Sequence, residues 1–231
     1  MSIDQKPDKK KLFDKLIEKS ELKQLVYYNT YNSFNVFKEV IEQMKHAYHK
    51  YEKTKKSRFE IPFELKTMGE FEIELKFGGD ILIFMMHTNV FEFPRNHRVM
   101  NTSYVKEDKN RSYCGVINIY NFLADSFKYN RLNDVGYLIG RVFINKDKHY
   151  FIEGKRELGY LYNNFGQNEL TTEIAEIITT AAIQYTVNFD LLTPPYENVK
   201  EVSLHEMRTA IDSLTLKTGK RLGFKFQADE D

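Results

Sequence analysis

The side chains best equipped for chemistry in this chain are six histidines, one cysteine and a scatter of arginines. His46 and His49 stand three residues apart in a helical pattern, a spacing that can bring two imidazoles to one metal ion. They lie among Lys45, Lys50 and Lys53 with no third ligand nearby in sequence, which is the pattern of a solvated helix face. His205 and Glu206 open the pattern of a zinc protease, but Thr209 stands where the second histidine is required. No metal site is expected. Gly219 and Lys220 lack the earlier glycine of a phosphate-binding loop, and Gly136 and Gly140 fall within a strand pattern, where GxxxG carries no meaning. No serine sits in a nucleophile elbow, and Cys114 reads as a small core residue, so no catalytic residue is assigned.

Three groups remain as candidate ligand-binding residues. His87 and Asn89 alternate with apolar neighbours and are expected to share one face of a strand, carrying two polar groups into a greasy layer. A buried imidazole must find a partner, which can be a backbone carbonyl, the asparagine or a ligand. Arg141 lies midway along another strand and is expected to be paired or snorkelling, with anion binding as the functional alternative. Arg95, His97 and Arg98 form a cationic cluster just past the first of these strands. Such a loop can hold a phosphate or carboxylate, although Glu92, Glu107 and Asp108 are near and short charged clusters usually sit in water.

The element that must position these groups is the run from Asp80 to Phe93. Ile81, Ile83, Met85 and Phe91 take one side of a strand there, and Leu82, Phe84, Met86 and Val90 the other, so both faces need covering. Gly78 and Gly79 make a turn before it and Pro94 stops it, which predicts a central strand. Ahead of it, Phe59, Ile61, Phe63 and Leu65 and then Phe71, Ile73, Leu75 and Phe77 alternate with polar residues, the pattern of a hairpin with one wet face. Pro62 cannot donate to a ladder and puts the first strand at the sheet edge. Further strands are expected over 113–122, 135–145 and 150–153, and a short one within 95–111.

Helical spacing flanks the strands on both sides. Leu12, Phe13, Leu16 and Ile17, then Leu22, Leu25 and Val26, follow a helical period whose phase slips near Ser20, predicting two short helices or one bent one with Ser20 as a new N-cap. Phe34, Phe37, Val40, Ile41, Met44, Tyr48 and Tyr51 predict an amphipathic helix from about Ser33 to Lys53. From Asn168, Ile174, Ile177, Ile178, Ala181, Ala182 and Tyr185 mark another helix, and Ser203 with Glu206 caps one that uses Met207, Ala210, Ile211 and Leu214. The class is therefore α+β: a mostly antiparallel sheet of about five or six strands flanked by N-terminal and C-terminal helices. One domain is expected over 1–231, with N-terminal helices at about 8–54, sheet at about 58–155, C-terminal helices at about 168–217 and an acidic tail at 228–231.

Lysine and arginine number 34 against 33 acidic residues, so the totals argue against a nucleic-acid binder. The 18 Phe and 15 Tyr, without Trp, are ordinary core residues before they are a stacking surface. A single cysteine excludes an intrachain disulfide, and the polar, lysine-rich N-terminus lacks a signal-peptide core, so a cytoplasmic protein is expected. No run is apolar enough to span a membrane. With every catalytic motif incomplete, the expectation is a non-catalytic protein that binds another protein or an anionic small molecule. The alternative is an enzyme or small-ligand regulator with a pocket beside the sheet around His87, and a nucleic-acid binder comes third. Which cofactor, if any, the protein uses is unknown from the sequence.

Overall fold

The computed structural model describes residues 8–155, 157–160, 164–193, 195–205 and 207–208. It shows an α+β fold: a multi-stranded antiparallel sheet with helices from both ends of the sequence packed against it. The strands are β1 (Phe63–Thr67), β2 (Glu72–Phe77), β3 (Asp80–Met86), β4 (Phe91–Glu92), β5 (Tyr113–Leu123), β6 (Tyr137–Asn145) and β7 (Tyr150–Gly154). Their order is β1-β2-β3-β5-β6-β7, with the two-residue β4 paired to β5, and every pairing is antiparallel. The expected hairpin forms, with Leu65 opposite Leu75, but its first strand is shorter than the alternation predicts: Phe59 and Ile61 lie before it and are exposed. Its first strand begins at Phe63, directly after Pro62, and forms the sheet edge.

The N-terminal helices are one. Helix α1 runs unbroken over Lys9–Glu52, started by Asp8, whose carboxylate accepts the Lys11 N–H at 3.2 Å. Neither glycine nor proline occurs in those 44 residues, so nothing in the backbone forces a break at Ser20. The phase slip instead marks a change in what the stripe faces. Val26, Phe34, Phe37, Val40 and Ile41 are buried against the sheet, while Leu12, Phe13, Leu16 and Ile17 are 56–61% exposed. At about 100° per residue the centres of the two stripes lie roughly 100° apart around one straight axis.

Contact between α1 and β5 is unusually close. Thr30 is fully buried and returns its hydroxyl to the Val26 carbonyl at 2.7 Å, and Gly115 of β5 lies directly beneath it. A Cβ at Gly115 would stand 2.1 Å from the Thr30 hydroxyl oxygen, so only glycine admits the helix at this depth. Asn29, one residue earlier, donates to the carbonyls of Asn145 and Lys146, at 3.2 and 2.8 Å, and pins the helix over the turn after β6. Helix α5 (Thr172–Val187), capped by the Thr171 hydroxyl, lies beside α1, and together they bury Leu82, Phe84 and Met86 of β3, Ile117 and Ile119 of β5, and Val142 and Ile144 of β6.

On the opposite face of the sheet, α3 (Ala124–Lys128) packs over Ile81 and Phe122 at one end, and a larger cover lies at the other. There a second core of Phe93, Val99, Val105, Cys114, Val116, Phe143, Phe151 and Phe165 forms under the segment 93–112. The short strand expected in that segment is absent. In its place stand two turns of 3-10 helix and α2 (Ser103–Glu107), begun by the side chains of His97, Thr102 and Asp108, each of which accepts a backbone N–H two or three residues on. The connection after β5 contains α3 (Ala124–Lys128); α4 (Glu157–Tyr160) follows β7, and α6 (Tyr196–Val199) follows the prolines after α5. The helix expected beyond Ser203 lies mostly, and the acidic tail at 228–231 wholly, outside the described residues. Among the described residues no helix is long and apolar enough to cross a membrane.

Gly115→Ala is expected to lower stability by about 1–3 kcal/mol, the range for overpacking a core. A denaturant titration checks this. Gly79→Ala, at a position with nothing within 4 Å of the added carbon, should leave the midpoint nearly unchanged.

Candidate functional site

The central run does not continue as one strand to Phe93. Met86 pairs with Ile117 and Phe91 with Cys114, so four residues, 87–90, stand opposite two, 115 and 116. Carrying two extra residues, the strand has to bulge. The bulge separates the two polar residues that strict alternation would have placed on one face. His87 stays on the open face, held by its N–H to the Val116 carbonyl at 2.9 Å, while Asn89 is exposed in a separate groove with Lys23, Gln24 and Tyr27. What joins them is the Asn89 backbone N–H, which donates to His87 Nδ1 at 3.0 Å. With Nδ1 accepting, the neutral imidazole carries its proton on Nε2, and among the described residues nothing is bonded to that N–H. The ring is edge-on to Phe91, with centroids 4.8 Å apart.

A polar row crosses the open face beside it. Asn118 of β5 stands opposite Arg141 of β6, and Arg141 opposite Glu153 of β7. Arg141 donates through Nη2 to one Glu153 oxygen, and His97 Nε2 donates to the other at 3.0 Å. The second His97 nitrogen, Nδ1, accepts the Val99 N–H at 3.3 Å, and the ring stacks on Phe93 at 4.6 Å. Both His97 nitrogens and both Glu153 oxygens are therefore engaged. Arg141 has Nη2 committed, and among the described residues its Nε and Nη1 are not bonded.

Row and bulge border a cavity of about 510 Å³. Cys114, Val116, Asn118 and Tyr120 of β5 form its floor, Leu138, Arg141 and Phe143 of β6 one side, and His87, Phe91, Glu92 and Phe93 the rim. His97 and Glu153 close one end. The cap over the adjoining core is fastened by Tyr104, whose hydroxyl donates to Asp147 at 2.7 Å and accepts from Asn145 at 2.9 Å, and by Arg111, which donates to the same Asp147 oxygen at 3.1 Å. Burial, with the Asp147 carboxylate acting in the same direction, pushes the Tyr104 phenol well above its ordinary range, against the donation from Asn145. The Lys146 ammonium, 2.5 Å from Asp108, holds that carboxyl below the usual carboxylate range.

Of the candidates read from the sequence, the structure brings His87, His97 and Arg141 to one cavity and leaves Asn89, Arg95 and Arg98 outside it. The cationic cluster does not converge, because the 3-10 turn beginning after His97 sends its members apart. His97 turns inward, Arg98 lies over the outer side of Phe151 at 5.0 Å, and Arg95 is exposed. His46 and His49 lie near carboxylates of their own helix, Glu42 at 3.2 Å and Glu52 at 3.8 Å. Among the described residues no group of three or more His, Cys, Asp or Glu is arranged to hold a metal ion. Sequence reasoning missed Glu153, Asn118 and Tyr120. Alternation places Arg141 on one face with Phe143, and Glu153 with Phe151, but only the strand register makes the two charges neighbours. Comparison with protein-family models, with curated proteins and with solved structures finds no match to this chain.

Burial pushes the Cys114 thiol well up from its ordinary value, so it stays protonated and shielded although it underlies the cavity. In native protein at pH 8, a thiol-reactive chromogenic disulfide is expected to label less than about a tenth of Cys114 in the time that unfolded chain reacts fully. Rapid native labelling would show the floor to be open.

Proposed function

We propose that this is a non-catalytic binding protein that takes a small, largely apolar molecule into the cavity on the open face of the sheet. The observation that carries the reading is uncovered apolar surface on the most central strands. Ile83, Met85 and Tyr120 are only half-buried, and Leu138 is exposed, although the strands they belong to are fully packed on their other side. The neighbouring volume of about 510 Å³ falls within the roughly 300–1,000 Å³ typical of small-molecule sites. A ligand there would supply the second cover that a doubly apolar strand needs.

What supports a non-catalytic reading is how the reactive groups are engaged. A general base needs a ring nitrogen free to take a proton, and both nitrogens of His97 are occupied. With Nδ1 accepting the Asn89 N–H, neutral His87 presents an N–H, not a lone pair, to the cavity. Cys114 is a shielded thiol. The side chains that remain can hold and orient a molecule.

A neutral fluorophore such as N-phenyl-1-naphthylamine should brighten on binding the full chain. Leu138→Asp, which places a charge in the apolar wall at an already exposed position, should weaken that binding about fivefold or more, the effect of roughly 1 kcal/mol. An unchanged melting temperature would show that the fold is kept. Absence of fluorophore binding by the wild type, or equal binding by the variant, would contradict the reading.

A further inference from the structure

We infer that the ligand is an aromatic monocarboxylate, seated with its acid group on Arg141 and its ring along Phe143; this rests on the small-molecule reading above. The hydrogen-bonding capacity left in the cavity is weighted to donors. Each Glu153 oxygen already accepts a hydrogen bond, one from Arg141 and one from His97. Against this stand the His87 Nε2–H, the Nε and Nη1 of Arg141, the Asn118 amide and the Tyr120 hydroxyl, none of them bonded within the described residues. A molecule that satisfies donors must bring acceptors, and a carboxylate makes the strongest, charge-assisted contacts with a guanidinium.

Charge limits the ligand to one negative group. Arg141 is already half-neutralised by Glu153, and His97 is bonded at both ring nitrogens. A dianion such as phosphate would meet one shared cation beside a carboxylate. Glu92 does not face the ligand: its carboxylate accepts the Tyr113 hydroxyl at 3.0 Å on the α1 side of the sheet, where Lys19 meets the same hydroxyl. The acid end belongs at Arg141, whose guanidinium lines the cavity, and the body of the ligand runs along Phe143 toward Phe91 and Phe93. Arg141 lies over the Phe143 ring at 5.3 Å, so a ring placed on that side continues an existing stack.

The test is calorimetric titration of the full chain with 2-naphthoate, with its neutral isostere 2-naphthamide and with inorganic phosphate. Naphthoate should bind about tenfold or more tighter than naphthamide, as a charge-assisted contact provides, and phosphate should give no binding heat. Arg141→Met should lower naphthoate to the level of naphthamide, while Arg141→Lys, which keeps the charge, should keep part of the preference. Equal affinity for acid and amide in the wild type, or a preference that survives Arg141→Met, would overturn the carboxylate assignment and leave the apolar-pocket reading standing. If the methionine variant does not fold, the wild-type ratio and the lysine variant decide. Binding of phosphate in preference to naphthoate would also overturn the assignment. Failure of both naphthalene probes together with the neutral fluorophore would remove the assignment and the reading beneath it.

Discussion

The physical constraint on which this structure turns is the double-sided apolarity of β3 and β5. Strands that carry Ile81, Ile83 and Met85 on one side and Leu82, Phe84 and Met86 on the other lose hydrophobic free energy wherever either side meets water. Helices α1 and α5 cover one side completely, and the depth at which α1 lies is set by the contact of Thr30 with Gly115. On the other side the segment 93–112 covers one end and the short α3 the other, leaving Ile83 and Met85 between them half-buried. The cavity is what remains between a sheet that needs two covers and a chain that supplies one and part of another.

How the partial cover is held explains why the cavity is polar at one end and aromatic at the other. The second core ends where Phe151 gives way to Glu153 and Phe143 to Arg141, two charges brought opposite each other by the β6–β7 register. His97 comes from the segment above and joins them, its ring stacked on Phe93 and its Nε2 on the carboxylate. Removing any one of the three would leave partly buried charge or a donor without its acceptor. The same contacts that close the core therefore leave a half-used guanidinium and an unused imidazole N–H facing open volume.

Much of the architecture was legible because it depends on periods that the sequence states directly. Alternation gave the hairpin of β1 and β2, the edge position of the strand after Pro62 and the central place of the run from Asp80. Helical spacing gave α5, and it gave the two stripes of α1 but not their union, since a stripe reports what a helix faces and only the backbone decides whether it is continuous. The site was legible in part. His87, His97 and Arg141 stood out as polar groups delivered by apolar strands, whereas Asn89, Arg95 and Arg98 were grouped with them by nearness in sequence. A bulge at 87–90 and a 3-10 turn after His97 undo that nearness, and neither has a strong sequence signal. Glu153 was invisible because its role comes from pairing with a strand whose register is set by the folded sheet.

The most direct measurement uses two methionines adjacent in sequence. Met85 is half-buried on the open face opposite Asn118, and Met86 is buried among the residues beneath α1 and α5. With methyl-labelled methionine and NMR, titration with an aromatic carboxylate should shift the Met85 resonance progressively while Met86 stays in place, because the ligand lies on one side of the strand only. If Met85 does not move while binding occurs elsewhere, or if both methyls move together as the whole domain rearranges, the open face is not the binding surface and the account is wrong.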